Sequence, residues 1–200
     1  MRTEKRVYLF RLIDISLFAF VGVWLLYSLL NITFANENQA TPNVIVTINT
    51  NGSISNHGSL FGDHLWYPGK EESGIIRIQN NYKKIRVTGM GLNISLNGYQ
   101  QEYGEEMVMA SFLKNMKLIV KKGKFLYFNK VILDNIKFLD LVNNGINDIF
   151  NGLVLEESDS FNIGKSDSID LKYTIRMDED AGAEMQSLSA NIQFIIDFGE

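Results

Sequence analysis

Two histidines and an aspartate lie close together in the sequence and are the first candidates for a metal site. His57, Asp63 and His64 fall in the stretch NHGSLFGDHLW. The zinc-binding HExxH motif places its two histidines on one helix face, four positions apart, so that both imidazoles reach one ion. The spacing here does not match that motif. We therefore predict a solvated loop, with no metal ligand and no cofactor.

Acidic pairs and missing residue types limit the enzymatic chemistry. Glu71–Glu72 and Glu156–Glu157 are possible acid–base carboxylates, but adjacent residues of an extended chain point to opposite sides. The chain contains no cysteine, which excludes a disulfide, a thiolate metal site and a cysteine nucleophile. It also lacks the G-x-S-x-G elbow that exposes a nucleophilic serine. We predict a non-enzymatic protein without catalytic residues.

Charge is distributed unevenly along the chain. The formal net charge is -4, yet the first thirty positions hold more basic than acidic residues. The basic ones are Arg2, Lys5, Arg6 and Arg11, against Glu4 and Asp14. The remainder is acidic, which argues against nucleic acid as a partner.

An uncharged apolar segment follows the basic residues. ISLFAFVGVWLLYSLL, residues 15–30, is shorter than the roughly 20 apolar residues of a full membrane span. Thr33 and Ala35 follow at the small-x-small spacing that signal peptidase reads. We predict that residues 1–35 form a hydrophobic helix acting as a signal peptide, or as a membrane anchor if it is retained. In both cases the basic flank places the rest of the chain outside the cytoplasm.

Past residue 40 the hydrophobic period changes to two, which indicates strands with one buried face. The clearest strands are SIDLKYTIRM at 168–177 and LSANIQFIID at 188–197. KIRVTGMGLNISL changes parity between Val87 and Met90, so it needs an extra residue, which a bulge at Gly89 or Gly91 supplies. Further strands are expected at 43–48, 74–80, 116–120 and 124–128, the last two forming a hairpin.

Two segments show helical spacing instead. EEMVMASFLKN at 105–115 predicts a helix, and LDNIKFLDLV at 133–142 has apolar residues at steps of three, which also predicts a short helix. The expected fold is mainly β, an antiparallel β-sandwich or jelly roll with one or two short helical insertions. Residues 36–65 are expected to be an N-terminal extension with a donor strand, and residues 66–200 the sandwich domain.

The stretch WYPGK is expected to turn the chain sharply into a strand. Pro68 fixes one backbone torsion, and Gly69 tolerates a positive one. For Trp66 and Tyr67 we favour packing in the core over covering the open end of the sandwich.

Two longer stretches carry a family resemblance. Residues 68–87 read PGKEESGIIRIQNNYKKIRV, and residues 164–198 read GKSDSIDLKYTIRMDEDAGAEMQSLSANIQFIIDF. With the N-terminal signal segment, they resemble the TasA and camelysin family of exported matrix and cell-surface proteins. Its pattern has Asp where this chain has Lys70, and Asn and Gly at the positions of Ala183 and Ser187.

The resemblance implies a function that the residues alone do not specify. It implies a secreted or cell-surface subunit or accessory of biofilm-matrix fibres, in which an N-terminal strand of one subunit completes the sheet of the next. The implied partners are further copies or related matrix proteins, signal peptidase, and the membrane through the N-terminal segment only. NVIVTINTNG at 43–52 is the expected donor, and deleting residues 40–49 is expected to leave a folded monomer that does not polymerise.

Two alternatives stay open. Without cleavage after Ala35, the protein is expected to be a membrane-anchored adhesin or binding domain. The family also suggests a camelysin-like metalloendopeptidase, but only two histidines, no HExxH motif and no cysteine support it.

Overall fold

The protein is represented by a computed structural model that describes Gly22 and residues 41–62, 65–123, 129–143 and 150–199. The chain divides into two compact units, Met1–Thr41 and Pro42–Glu200. Thr33 and Ala35, and the hydrophobic helix expected before them, lie outside the described residues. Within the described ranges, no helix has the length and apolar character needed to cross a membrane.

The second unit is built mainly of strands. They are β1 (Val44–Ile48), β2 (Ile54–Gly58), β3 (Glu71–Asn80), β4 (Ile85–Gly98), β5 (Met116–Gly123), β6 (Asn129–Lys137), β7 (Leu153–Val154), β8 (Phe161–Ile163), β9 (Asp167–Met177) and β10 (Ser189–Gly199). One α-helix, α1, spans Glu105–Asn115. Short 3-10 turns lie at Gln101–Tyr103, Phe138–Asp140 and Ala183–Met185. The mainly β class and the helix at 105–115 are confirmed.

The strands form two sheets. The first has six strands in the order β2-β1-β3-β9-β5-β6. In the second, β4 pairs with β10 along one side, while β7 and β8 pair with short stretches of its other side. Among the described strands all named pairs are antiparallel except β1–β3, which is parallel. The expected antiparallel pairing is thus found in every named pair of described strands except β1 with β3.

One hydrophobic core receives side chains from both sheets. In β9, Leu171, Tyr173, Ile175 and Met177 are buried, and the polar residues between them are more exposed. In β10, Ala190, Ile192, Phe194 and Ile196 are buried in the same alternation. The period of two thus places one face of each long strand in the core, as predicted.

The parity change in β4 is a β-bulge. Val87 lies opposite Phe198 and Gly89 lies opposite Asp197, so Thr88 is the extra residue. The bulge adjoins Gly89, one of the two predicted positions. Before the bulge the odd-numbered residues Ile85 and Val87 face the core, and after it the even-numbered residues Met90 and Leu92 do.

The helix expected at 133–142 is wrong. Residues 129–137 form β6, which pairs with β5 and contains two irregularities in register. From Leu118 to Val120 the chain of β5 advances two residues, while the partners in β6 are three apart, at Ile136 and Leu133. From Val120 to Lys121 β5 advances one residue, while β6 advances two, to Val131. β6 therefore carries one extra residue in each of these two intervals. Each bulge moves the inward position by one residue. Apolar residues spaced by three therefore arise in a strand.

The expected hairpin at 116–128 also differs. β5 continues through Gly123, where a turn was expected, and pairs with β6. The strand expected at 124–128 lies outside the described residues.

The Pro68–Gly69 corner forms as predicted. Gly69 has a φ of 80°, and the Lys70 amide donates to the Tyr67 carbonyl at 3.1 Å. β3 begins at the next residue, Glu71. Trp66 is fully buried, whereas Tyr67 is 58% exposed, so core packing is confirmed for Trp66 and wrong for Tyr67.

Candidate functional site

The N-terminal hairpin, β1 with β2, occupies one edge of the first sheet. β1 lies between β2 and β3, antiparallel to β2 and parallel to β3. Both strands come from the predicted extension at 36–65, and they pair within the compact unit Pro42–Glu200. The candidate donor strand is therefore seated in the chain's own sheet, where it covers the edge of β3.

The inward face of β1 is entirely apolar. Val44, Val46 and Ile48 have no exposed surface, while Ile45 and Thr47 between them are half-buried. Burying three such side chains contributes roughly 5–9 kcal/mol, which is comparable with the whole stability of an ordinary domain. Deleting residues 40–49 would remove this contribution, which argues against the expected folded monomer.

Asn43 holds the start of β1 against β3. The backbone N–H of Asn43 donates to the Ile75 carbonyl at 2.9 Å. The side-chain Oδ1 of Asn43 accepts from the backbone N–H of Ile75, also at 2.9 Å. A Cβ added to Gly74 would overlap Asn43 Oδ1, and one added to Gly58 would overlap the Asn43 carbonyl. Two glycines thus leave the space in which Asn43 sits.

The turn between β1 and β2 is closed by its own polar groups. The Asn49 amide donates to the Ser53 carbonyl at 2.8 Å, and the Gly52 amide donates to the Asn49 carbonyl at 2.9 Å. Gly52 has a φ of 83°, and Asn51 Oδ1 accepts from the Ser53 amide at 3.0 Å. The sequence signal that would have identified this hairpin is the Asn-Thr-Asn-Gly run after β1.

A short link joins the hairpin to the second sheet. The Leu60 amide donates to the Ile192 carbonyl at 3.1 Å, and the Ile192 amide donates to Ser59 Oγ at 3.0 Å. Tyr173 Oη donates to the Leu60 carbonyl at 3.2 Å, and burial raises the pKa of Tyr173 to about 12, with a further contribution from Glu72. Residues 59 and 60 therefore connect both sheets.

An aromatic stack closes the core beside this link. Phe61 and Trp66 lie parallel with ring centroids 4.2 Å apart. Phe61 meets Phe112 of α1 edge to face at 5.5 Å, and Phe112 meets Phe138 in the same way. Lys70 Nζ lies 5.0 Å from the centre of the Trp66 ring and forms an ion pair with Glu72 at 2.7 Å. This end of the hairpin is thus fixed by core contacts.

The outer edge of β10 carries backbone groups that point away from β4. The Ile192 amide and carbonyl bond to residues 59 and 60 rather than to β4. Alternation along an antiparallel ladder gives Phe194 and Ile196 the same orientation. Across the part of the chain that the structure describes, no backbone partner meets either residue on that side. Among the described residues, β10 is therefore an open sheet edge beyond Ile192.

Among the residues that the structure describes, those singled out for metal or acid–base chemistry do not come together. His57 is exposed on β2, while Asp63 and His64 lie outside the described residues. Glu71 is exposed on β3, Glu72 contacts Lys70, and Glu156 and Glu157 lie at an exposed turn. Among the residues that can be described, no group of three His, Asp or Glu side chains is placed to hold a metal ion.

No family model matches the chain, and no curated protein matches it. A function for this chain is therefore inferred from the geometry of the residues that the structure describes.

Proposed function

We propose that this protein is a non-enzymatic, extracellular structural protein whose subunits assemble by donating the β1–β2 hairpin to the next subunit. The observation that supports this proposal most directly is the position of β1. It is the first described strand, it fills a slot beside β3 in parallel, and its inward face is fully apolar. If the β1–β2 hairpin detaches from its own sheet, β3 becomes an exposed sheet edge. The β1–β2 hairpin of another copy can then pair with that edge.

Exchange of the hairpin costs little at equilibrium. The contacts of Val44, Val46 and Ile48 are the same whether the acceptor is their own chain or a neighbour. The balance then depends on the link at residues 59–62 and on protein concentration. When each copy donates its hairpin to the next copy, and not reciprocally to the copy that donates to it, each added subunit leaves one donor and one acceptor unused, and the product is an open filament.

The proposal includes export of the protein. Cleavage after Ala35 would release the chain shortly before β1 and free the hairpin to reach another copy, with signal peptidase as the processing partner. The protein would then act in the extracellular matrix or at the cell surface, in the manner of the TasA and camelysin family that the sequence resembles. A jelly-roll topology and an N-terminal hydrophobic helix belong to the same proposal.

Cysteine cross-linking tests the exchange directly, because the chain has no cysteine of its own. Thr47 and Gln79 are register partners on β1 and β3, with side-chain oxygens 3.4 Å apart. The proteins Thr47→Cys and Gln79→Cys are mixed at high concentration as full-length chains and oxidised. Disulfide-linked heterodimers are expected. Thr47→Cys mixed with Asn162→Cys, on β8 in the other sheet, is the control and should stay unlinked.

A second candidate function is supported by the completeness of the sheet in a single chain. With the hairpin seated in its own slot, the domain needs no partner to cover β3. Such a domain retained at the membrane by an uncleaved N-terminal segment would be an anchored surface adhesin or binding domain. Linkage only within single chains of the double variant Thr47→Cys/Gln79→Cys, with no heterodimers in the mixture, would favour this candidate.

A further inference from the structure

The outer face of the second sheet carries a cluster of uncharged polar side chains at one end. On β4 they are Asn93, Ser95 and Asn97, and on β10 they are Ser189, Asn191 and Gln193; these six residues form the amide face. Gln193 lies opposite Asn93, and Asn191 lies opposite Ser95. Directly opposite residues of an antiparallel pair share one face, so the side chains form neighbouring rows.

The fold determines which way these side chains point. Ala190, Ile192 and Phe194 are buried, and the β10 residues between them therefore point outward. Asn93, Ser95, Asn97 and Gln193 are exposed, and Ser189 and Asn191 are half-buried. From Ser189 to Gln193 the face extends about 14 Å along β10, at about 3.4 Å per residue.

The side chains of the amide face have no hydrogen-bond partner among the described residues. None of its six side chains makes a side-chain hydrogen bond to any residue that the structure describes. An Asn or Gln amide offers two donors and an acceptor, and a serine hydroxyl offers both functions. The face therefore presents many donors and acceptors without a net charge.

Charged groups on the same sheet face are further along the strands and are occupied. Asp197, four residues beyond Gln193, accepts from Thr88 Oγ1 at 3.2 Å. Arg86, seven residues before Asn93, donates to Ser160 Oγ. A ligand on the amide face would thus meet hydrogen-bonding groups rather than an ionic site.

A groove of about 340 Å³ adjoins the amide face. Its lining includes Ser59, Phe61 and Gly62 from the link, and Asn97, Ser189 and Asn191 from the amide face. Its volume lies in the range of small-ligand sites. The lining residues are uncharged and include the amides of Asn97 and Asn191, the hydroxyls of Ser59 and Ser189, and Phe61.

We propose that the amide face and its groove bind a neutral polysaccharide. A chain of sugar units repeats hydroxyl groups that donate and accept hydrogen bonds, and paired amides and hydroxyls match this chemistry. A polyanion or an acidic protein would require cations here, which the face lacks. The length of the face favours a polymer over a single monosaccharide. The six residues of the amide face lie on β4 and β10, outside the β1–β2 hairpin, so this binding does not require the hairpin to be exchanged.

Affinity electrophoresis of the full-length protein in gels containing dextran, hydroxyethylcellulose or a neutral galactan tests the proposal. We expect at least one of these polymers to retard the protein. Raising the salt from 50 to 500 mM shortens the screening length of charges from roughly 14 to 4 Å. Because the proposed contacts are uncharged, this change should not weaken binding. Asn93→Ala/Gln193→Ala and Asn97→Ala/Asn191→Ala should each weaken binding about tenfold, since each removes two hydrogen-bonding side chains.

The matched control is Asn81→Ala/Asn162→Ala, which removes two exposed asparagines outside the amide face. It should bind like the unmodified protein, and circular dichroism should show all variants folded. Equal weakening by the control, retardation abolished by salt, or no retardation by any of the three polymers would overturn the proposal. Reduced self-association with unchanged retardation in the amide-face variants would instead identify a contact between copies.

Discussion

The side chain of Asn43 occupies the space that Gly74 leaves open on the neighbouring strand. Asn43 Oδ1 accepts from the amide of Ile75 at 2.9 Å, and a Cβ on Gly74 would overlap that oxygen and lie 2.7 Å from Tyr173 Oη. The first contact between β1 and β3 is thus made possible by a missing side chain. It fixes the parallel register in which Val44 lies opposite Ile76.

Gly74→Ala is expected to lower the free energy of unfolding by about 2–3 kcal/mol, because the new methyl group displaces Asn43 and crowds Tyr173. Urea denaturation of the full-length protein measures the change. Gly164→Ala is the control, because its Cβ would be 3.7 Å from Asp167, an ordinary contact distance, and it should change stability by less than about 0.5 kcal/mol. Equal stability of the two variants would show that Asn43 does not depend on Gly74.

The side chain of Asn80, at the end of β3, bonds to the end of β8 and to the loops on either side. Its side chain is fully buried, and Nδ2 donates to the carbonyls of Lys83, Ile163 and Gly164 at 2.8, 3.2 and 2.9 Å. Oδ1 accepts from the Tyr82 amide at 3.0 Å. The two N–H donors of the side-chain amide are shared among three carbonyls, and its oxygen accepts one backbone N–H, so the site fits an amide.

Asn80→Asp is expected to destabilise the protein strongly at neutral pH, by about 3 kcal/mol or more, because a buried carboxylate would face three carbonyl oxygens. The folded state would favour the protonated acid, so its pKa would lie above the ordinary value of about 3.9. The loss of stability should therefore be smaller near pH 4 than at pH 7. Thermal denaturation at both pH values measures this, and Asn80→Ala, with no titrating group, should show no such pH dependence.

The buried phenol of Tyr173 is expected to make the protein less stable in alkaline solution. Burial raises its pKa to about 12, above the ordinary value of about 10, so the folded state holds the phenol proton more tightly than the unfolded state. Its contribution is complete below pH 10 and is lost as the pH rises from about 10 to 12, by roughly 2–3 kcal/mol. Tyr173→Phe should lose the hydrogen bond to the Leu60 carbonyl but show a flatter stability profile over that range. Parallel profiles for both proteins would contradict this assignment.

The strands with simple alternation could be predicted from sequence because burial alone determines their pattern. β9 and β10 keep a period of two over their whole length, and the parity change between Val87 and Met90 in β4 falls beside Gly89, which marked it in the sequence. The helix Glu105–Asn115 was likewise visible. The hydrophobic pattern of a strand does not indicate which other strand it pairs with. The parallel pairing of β1 with β3 depends on Asn43 and Gly74, which are separated by more than thirty residues.

The candidate sites were harder to predict from the sequence than the strands, because they also depend on which strands pair. The amide face joins Asn93 and Gln193, which a cross-strand register brings together and no motif connects. β2 was missed because ISNHG has little apolar character, being an edge strand exposed on both faces. Conversely, Thr33, Ala35, Asp63 and His64 remain sequence predictions, since they lie outside the described residues.

A bulge in β6 places one residue in a left-handed backbone conformation. Asn135 has a φ of 52°, a region that glycine and asparagine tolerate and β-branched residues avoid. Asn135→Gly should leave the free energy of unfolding within about 0.5 kcal/mol of the unmodified protein, whereas Asn135→Val should lower it by about 1–3 kcal/mol. Asp134→Val, at the neighbouring exposed position without a positive φ, separates backbone strain from the effect of an added apolar group. If Asn135→Val were as stable as Asn135→Gly in urea denaturation, the bulge would not exist at this position, and the spacing of three in this segment would need another explanation.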